Sequence, residues 1–259
     1  MFFSKAKSLL KIIKFFISPS FWEPISNIRI FRSVHGISKP WVFRQALALQ
    51  VNLSRKERRA RSLGNFYEFG TFKGSSLIMM GNLKRLYKMY FPELKNFELY
   101  SFDSFEGLPI NKDDHKDSVW IEGEFYGSLD EVKKNMKSYS LKAKYIKGFY
   151  EESLTEELAK KLSESPPSIV HIDVDLYSST LTVLKWLDKF ALPMSTYIFD
   201  DIWAVGNHPD LGEQKAIHEY NSLKNTRGFL IESPLSLGSK TIFSFTLRDF
   251  SNDPVYISN

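Results

Sequence analysis

The stretch "SIVHIDVDLYSSTLTVLKWL", from Ser168 to Leu187, decides the fold class. Four of its first five residues are apolar or small, and three of these are β-branched, which predicts a short buried strand. Ser178, Ser179 and Thr180 are typical N-cap residues, and leucine and valine follow them at helical spacing. A strand that leads directly into a helix is the repeating unit of a parallel α/β sheet. Asp173 and Asp175 lie between the two, at the strand end where such sheets bind ligands.

The same alternation of strand and helix continues along the chain. Strand-like segments begin at Asn65, Phe97, Ala143, Ser168, Ser195, Gly228 and Lys240. Helix-like segments cover 74–89, 129–139, 153–163, 178–190 and 212–224. The pattern predicts a Rossmann-like, doubly wound α/β fold with a mostly parallel seven-stranded sheet. No helix separates the last two strands, so we expect an antiparallel hairpin at the edge, with the last strand antiparallel.

Composition limits the classes of protein and of site. The 259 residues predict one domain over 61–259, preceded by a basic, partly helical extension over 1–60. There is no cysteine, which excludes disulfides and thiolate metal sites and leaves carboxylate and imidazole as metal ligands. That absence fits a cytoplasmic protein.

The extension begins with a cationic amphipathic segment over residues 1–17. Lysine interrupts it too often for a bilayer span. We expect it either to pack on protein, its own domain or a partner in a homodimer, or to contact the inner face of a membrane peripherally. Basic residues cluster at 5–14 and 55–61 rather than along an aromatic groove, so we do not expect a nucleic-acid partner.

The segment "YEFGTFKGSSL", residues 67–77, combines a strand end, a turn and a helix start. Gly70 and Gly74 allow a tight turn and a close approach of the backbone to a ligand. The spacing differs from the Gly-x-Gly-x-x-Gly turn of nucleotide-dependent dehydrogenases. Glu68 would repel a phosphate but suits an ammonium group. S-adenosylmethionine, with its amino acid tail and sulfonium, fits this turn.

The ends of the second and third strands supply further candidates. Asp103 ends the second strand, where Rossmann-like folds place an acid on the ribose hydroxyls. Gly148 and Phe149 close the third strand and are candidates to flank an adenine. Residues 107–128 form an insertion rich in charged and aromatic residues, which predicts a lid over the second substrate.

Four aspartates are expected to meet at two neighbouring strand ends. Asp200 and Asp201 follow the fifth strand, and Asp173 and Asp175 follow the fourth. Carboxylates so close together repel one another unless a cation or protons offset their charge. Mg²⁺ is the natural candidate, with Ca²⁺ and Mn²⁺ also compatible. The alternative is that the acids only cap helices and turns, Asp175 above all because it precedes a helix.

Several motifs, in this order, resemble the macrocin O-methyltransferase family over roughly residues 61–247. They are "YEFGTFKGSSL", "FDSFEGLP", "KGFYEESL", "HIDVDLYSSTLTVL", "FDDI" and "GEQKAIHEY". The resemblance implies a class I S-adenosylmethionine-dependent methyltransferase that uses Mg²⁺ and acts on sugar hydroxyls. For the donor it implies contacts from Glu68, Gly70, Gly74, Ser75, Asp103, Ser104, Gly148 and Phe149. For the metal it implies Asp173, Asp200 and Asp201.

The general base is open at this level. Related catechol-type enzymes carry a lysine shortly after the first metal aspartate, and Leu176 and Tyr177 occupy that vicinity here. Beside Asp173, the catalytic candidates are therefore Asp175, His115 and His208. His171 alternates with apolar residues in the fourth strand and is interpreted as a core histidine.

These observations together predict a Mg²⁺- and S-adenosylmethionine-dependent O-methyltransferase. The expected acceptor is a sugar hydroxyl of a glycosylated small molecule or a surface glycan. Two alternatives stay open: an O-methyltransferase with a non-sugar acceptor, and a non-catalytic binding protein on the same fold.

Overall fold

The computed structural model describes residues 40–56, 63–109, 114, 120–202, 208–233 and 241–249. The predictions for residues 1–17 and for His115 lie outside these ranges. Among the helices within them, none is both long and apolar enough to cross a membrane.

A seven-stranded sheet organises the described chain. Its strands are β1 Asn65–Phe69, β2 Leu99–Asp103, β3 Lys144–Lys147, β4 Pro167–Ile172, β5 Thr196–Phe199, β6 Gly228–Glu232 and β7 Thr241–Leu247. The spatial order is β3-β2-β1-β4-β5-β7-β6. The first five strands pair in parallel, and β7 is antiparallel to both of its neighbours. The predicted fold class and the antiparallel last strand are confirmed.

Helices cover both faces of the sheet. They are α1 Pro40–Lys56, α2 Ser75–Tyr87, α3 Leu129–Ser138, α4 Tyr150–Ser153, α5 Glu156–Leu162, α6 Tyr177–Asp188 and α7 Gly212–Ser222. Successive strand residues point to opposite faces, so Phe66 packs in the core beneath α1, α2 and α3, and Tyr67 in the core beneath α5, α6 and α7. Every residue of β4 is buried, including the polar residues Ser168 and His171, as is typical of a central strand covered on both faces.

Helix α1 lies within the predicted N-terminal extension but packs on the sheet. Val42, Phe43 and Leu47 are fully or almost fully buried in the core of that face. The Gln50 amide donates hydrogen bonds to the carbonyl of Met194 at 2.7 Å and to Thr196 Oγ1 at 2.9 Å. Residues 40–56 therefore contribute directly to the packed core of the domain.

The start of α6 differs from the sequence prediction. Ser178, Ser179 and Thr180 are not N-cap residues; they lie in the first helical turn, and Leu176 is the N-cap without a side-chain hydrogen bond. The helix begins earlier because the chain turns sharply at Asp175, whose φ of +62° is left-handed. The prediction of a serine and threonine cap was wrong, and the left-handed turn at Asp175 lies between the end of β4 at Ile172 and the start of α6.

Candidate functional site

A cavity of about 320 Å³ opens at the carboxyl ends of the central strands. Its wall combines the turns that follow β1 and β2, the four aspartates after β4 and β5, and aromatic side chains of the insertion over 107–128. This is the edge of the sheet at which open α/β folds bind ligands. The strand order places it beside β1 and β4, where the winding of the sheet reverses.

The turn after β1 depends on glycine at a contact between two strand ends. Gly70 has φ +81°, and a Cβ there would lie 1.7 Å from the carbonyl oxygen of Asp173. Gly74, at φ +83°, is the N-cap of α2 and provides no side chain. As a result the turn lies directly against Asp173, and Ser75 at the start of α2 reaches the cavity wall. Gly74 itself is not on that wall.

Asp103 connects the turn after β1 with the turn after β2 through hydrogen bonds. Its Oδ2 accepts the backbone N–H of Thr71 at 2.6 Å and of Phe72 at 3.0 Å, and its Oδ1 accepts that of Phe105 at 2.6 Å. Burial raises the pKa of Asp103, and these three N–H groups oppose the rise. Ser104 donates to the carbonyl of Gly107 at 2.9 Å. Both Asp103 and Ser104 line the cavity, so their roles toward a donor stay predictions that the geometry permits.

The end of β3 reaches the cavity through side chains rather than through its glycine. Phe149, Tyr150 and Glu151 line the wall, and Gly148 does not. The Cβ position of Gly148, at φ +142°, faces Ser153 of α4. Sequence reasoning found Phe149 but missed Tyr150, a partly buried phenol whose O–H donates to the carbonyl of Phe102 at 3.2 Å.

The four predicted aspartates come together on the cavity wall. The carboxyl groups of Asp175 and Asp201 are in hydrogen-bond contact, and so are those of Asp201 and Asp173. Burial, and then the charge of Asp173, raises the pKa of Asp175 to about 7. Burial, and then the charge of Asp175, raises the pKa of Asp201 to about 7. Such mutual repulsion is what a bound divalent cation would offset, and the oxygen donors suit Mg²⁺.

Glu213 is a fifth carboxyl group beside this cluster, and sequence reasoning missed it. It lies in the first turn of α7, is 1% exposed, and accepts the backbone N–H of Asp201 through Oε2 at 3.0 Å. Its Oε1 is buried without a hydrogen-bond partner among the described residues. Burial, and then the charge of Asp201, raises its pKa well above the ordinary value. An acid in the first turn of a helix normally faces solvent, so the sequence position of Glu213 did not indicate that it is buried beside the aspartates.

Glu68 and His171 form a buried pair beneath the cavity. Glu68 Oε1 and His171 Nδ1 are 3.2 Å apart, and the two residues face each other across β1 and β4. Burial, and then the charge of Asp173, raises the pKa of Glu68 well above its ordinary value. Glu68 is therefore placed under the floor rather than on the wall that a donor would contact. The interpretation of His171 as a buried histidine agrees with its full burial.

His208 does not join the described part of the cavity. Its side chain is exposed, and Nδ1 accepts the backbone N–H of Asp210 at 3.3 Å. Among the catalytic candidates that the structure describes, Asp173 and Asp175 reach the cavity and His208 does not.

Aromatic side chains from the turn after β1 and from the insertion also line the cavity, among them Phe72, Trp120 and Phe125. Phe72 and Phe125 meet edge to face with centroids 5.9 Å apart, and Trp120 lies 5.4 Å from Phe125. Phe72 and Phe125 have φ values of +47° and +57°, which bulky residues rarely adopt. A Cβ at Gly127 would lie 2.4 Å from the carbonyl oxygen of Phe72, so the insertion closely contacts the turn after β1. The cavity wall thus combines acidic and aromatic side chains.

Comparisons with known proteins identify the family of the chain. The family model of macrocin-O-methyltransferase (TylF) matches residues 51–232. The solved O-methyltransferase NovP is 19% identical, covers 78% of this chain and 79% of its own, and has a TM-score of 0.57. The calicheamicin methyltransferase CalS11 is 18% identical, covers 88% of this chain and 93% of its own, and has a TM-score of 0.57. No curated protein matches the chain.

At these identities the two structures show a shared fold, and the family model supplies the assignment. Its match covers well over half of the chain. The matched residues include the glycine turn after β1, Asp103 and all four aspartates of the cavity. The chain therefore belongs to the macrocin O-methyltransferase family and is an S-adenosylmethionine-dependent O-methyltransferase.

Proposed function

We propose that the protein transfers the methyl group of S-adenosylmethionine to a sugar hydroxyl, with the assistance of Mg²⁺. The acceptor class is a glycosylated metabolite or a surface glycan. The observation that carries the proposal is the placement of four aspartates on the wall of the same cavity as the glycine turn after β1. Together they provide a place for a cationic donor and for a divalent ion next to it.

The donor's binding groups come from the ends of β1, β2 and β3. Gly70 leaves the backbone of the turn open to the cavity, and Ser75 and Ser76 add hydroxyl groups at the start of α2. Asp103 offers carboxylate oxygens at the position expected for a ribose. Phe149 provides a flat apolar surface for an adenine on the far side of Asp103.

The cation's binding groups are the carboxylates of Asp173, Asp200 and Asp201. A bound divalent ion lowers the pKa of a coordinated hydroxyl and fixes its orientation for in-line attack. The backbone N–H of Asp200 donates to the carbonyl of Ile172 at 3.1 Å, and that of Asp201 donates to Glu213. These two bonds hold the chain rigidly where the carboxylates leave β5.

Asp175 is the general base of the proposal. Its carboxylate lies on the cavity wall, in contact with Asp201, and does not cap α6. It accepts the proton of the acceptor hydroxyl while the oxygen forms its bond to the methyl carbon. The bond between that carbon and the sulfonium sulfur breaks, and its electron pair leaves a neutral thioether on the donor.

A sugar is the acceptor class that fits a cavity wall with both acidic and aromatic side chains. Hydroxyl groups donate to carboxylates, and the apolar face of a sugar ring packs on an aromatic ring. Phe72 and Phe125 are 40% and 44% exposed, large fractions for aromatic side chains in a domain with a well-packed core. CalS11 is described as a TDP-rhamnose 3'-O-methyltransferase, which supports the same acceptor class.

Cellular context is part of the proposal. We place the enzyme in the cytoplasm, which fits a chain without cysteine. Homodimer formation and peripheral membrane contact through residues 1–17 stay predictions from the sequence.

A transfer assay with methyl-labelled S-adenosylmethionine tests the function. We expect label to appear in nucleoside-diphosphate sugars, small glycosides or glycolipid extracts, and EDTA to lower the rate at least tenfold until Mg²⁺ is restored. Asp200→Asn is expected to lose this metal response while the Kd for S-adenosylmethionine changes less than threefold. Transfer only to a non-sugar phenol would contradict the acceptor class, and a rate unaffected by EDTA would contradict the metal.

The aromatic wall is tested by a neighbouring pair of residues. Phe125→Ala is expected to raise KM for the sugar acceptor about tenfold, equivalent to the loss of about 1.4 kcal/mol of stacking, with the Kd for S-adenosylmethionine unchanged. Tyr126→Ala is the matched control, because Tyr126 is 60% exposed and does not line the cavity. Steady-state kinetics that show equal effects of the two substitutions would remove Phe125 from the acceptor site.

A further inference from the structure

His171 lies on the same face of the sheet as two of the proposed metal ligands. Side chains alternate along β4, so His171 and Asp173 point to the same face. In the neighbouring strand His171 pairs with Ile198, and Asp200 follows two residues later on that face. A ring nitrogen of His171 and one carboxylate oxygen each from Asp173 and Asp200 lie within 4.8 Å of one another.

These separations are close to those of atoms that share one ion. Nitrogen and oxygen ligands bind first-row metals and magnesium at about 2.0–2.2 Å, so two ligands on opposite sides of an ion are about 4.2 Å apart. A small side-chain adjustment would bring the three donors onto one centre. Among the described residues, this is the group of histidine and acidic side chains that meets the distance requirement.

The environment of the imidazole is also that of a metal ligand. His171 Nδ1 is 3.2 Å from Glu68 Oε1, and both side chains are at most 1% exposed. In the tautomer in which Nδ1–H donates to Glu68, Nε2 keeps its lone pair for a metal ion. Metal-bound histidines characteristically donate their second ring nitrogen to a carboxylate in this way. The edge of the Phe43 ring packs on the imidazole at 4.9 Å and restricts its rotation.

We propose that His171 is a ligand of the divalent ion, through Nε2, together with Asp173 and Asp200, with Glu68 as the residue that positions the imidazole. The inference rests on the metal-assisted function proposed above. It assigns Glu68 to the metal site rather than to the donor, and it adds His171 to the three aspartate ligands proposed above, of which Asp201 contacts Asp173. An imidazole ligand favours Mn²⁺ and later first-row ions over Mg²⁺, which prefers oxygen.

Electron spin echo envelope modulation of the Mn²⁺-loaded protein tests this assignment directly. We expect ¹⁴N modulation from a coordinated imidazole in the wild type, and its loss in His171→Gln. His208→Gln and His218→Gln are matched controls, since both side chains are exposed, and they should keep the modulation. Glu68→Gln should keep it too but weaken Mn²⁺ binding about 10- to 100-fold in a calorimetric titration.

A second variant keeps the proposal testable if the His171→Gln protein does not fold. The chain has five histidines, and replacing the other four by glutamine leaves His171 as the only imidazole. The modulation must persist in that protein. Its absence there or in the wild type, its survival in a folded His171→Gln, or failure to bind Mn²⁺ at all would each overturn the proposal.

The result also separates this inference from the proposed function. Mn²⁺-dependent methyl transfer without nitrogen modulation would overturn only the role of His171. Nitrogen modulation in a protein that transfers no label from S-adenosylmethionine would overturn the function and leave the metal site intact.

Discussion

Replacing Asp175 with asparagine is expected to lower kcat for methyl transfer by about 10²- to 10⁴-fold, the range that a positioned general base contributes. The Kd for S-adenosylmethionine should change less than threefold, because the donor's proposed contacts come from β1, β2 and β3. Stopped-flow or steady-state kinetics of methyl transfer at saturating donor measure kcat, and calorimetry measures the Kd for S-adenosylmethionine.

Asparagine is the informative substitution at this position. Asp175 has φ +62°, and asparagine tolerates the left-handed region better than any other residue except glycine. Its amide keeps the size of the side chain and the contact with Asp201 but cannot accept a proton. A fall in rate therefore reports the lost base rather than a rearranged turn.

The pH dependence of the transfer rate is a second test of Asp175 as the general base. A base must be ionised, so a raised pKa means that the rate falls as the pH drops through that value. The pKa of Asp175 is raised from 3.8 to about 7 by burial and by Asp173, and bound cations would lower it again. We expect the wild-type rate to decline on the acid side, at or below about pH 7, and Asp175→Asn to lose this decline. Asp210→Asn, an exposed aspartate outside the cavity, is the control and should behave as the wild type.

The chain order of strands and helices was enough to predict where the acids meet. Each aspartate follows an apolar strand, and parallel strands end at one edge of a sheet, so Asp103, Asp173 and Asp200 had to approach one another. The register confirms this, since Ile172 pairs with Phe199 directly before the two acidic ends. The alternation of strands and helices was therefore sufficient to predict that these aspartates lie at one edge of the sheet.

Contacts between residues on different strands could not be predicted from the sequence. Alternation along β4 shows that His171 and Asp173 share a face, but not that Glu68 of β1 lies in register with the histidine. The burial of Glu213 depends on how α7 packs on the end of β5, which no local pattern encodes. The insertion of β7 between β5 and β6 is similar, because a hairpin does not reveal which of its strands is at the edge.

The aromatic part of the cavity wall was also not predictable in detail, because it depends on unusual backbone conformations. The composition of residues 107–128 predicted a lid, but the contact between Phe72 and Phe125 comes from two left-handed residues that lie more than fifty positions apart. Bulky residues seldom adopt this conformation, so a pattern-based prediction assigns them elsewhere. Strained positions of this kind are common at functional sites.

Gly70→Ala is expected to destabilise the fold by more than about 3 kcal/mol, a large part of the roughly 5–15 kcal/mol available to a domain. A left-handed alanine costs about 1–2 kcal/mol on its own. The added Cβ would also lie 1.7 Å from the carbonyl oxygen of Asp173, so β1 and β4 would have to separate at their ends. Urea unfolding measures the loss, and donor and metal binding should fail in any protein that still folds.

Gly123→Ala is the matched control for this substitution. Gly123 has nearly the same backbone conformation, with φ +77°, but among the described residues no atom beyond its chain neighbours lies within 4 Å of its Cβ position. We expect it to cost only the conformational penalty of about 1–2 kcal/mol. The difference between the two variants isolates the close contact between the turn after β1 and Asp173. Equal losses would show that the two strand ends can move apart freely, and a site that needs Asp173 beside the donor would then lose its structural support.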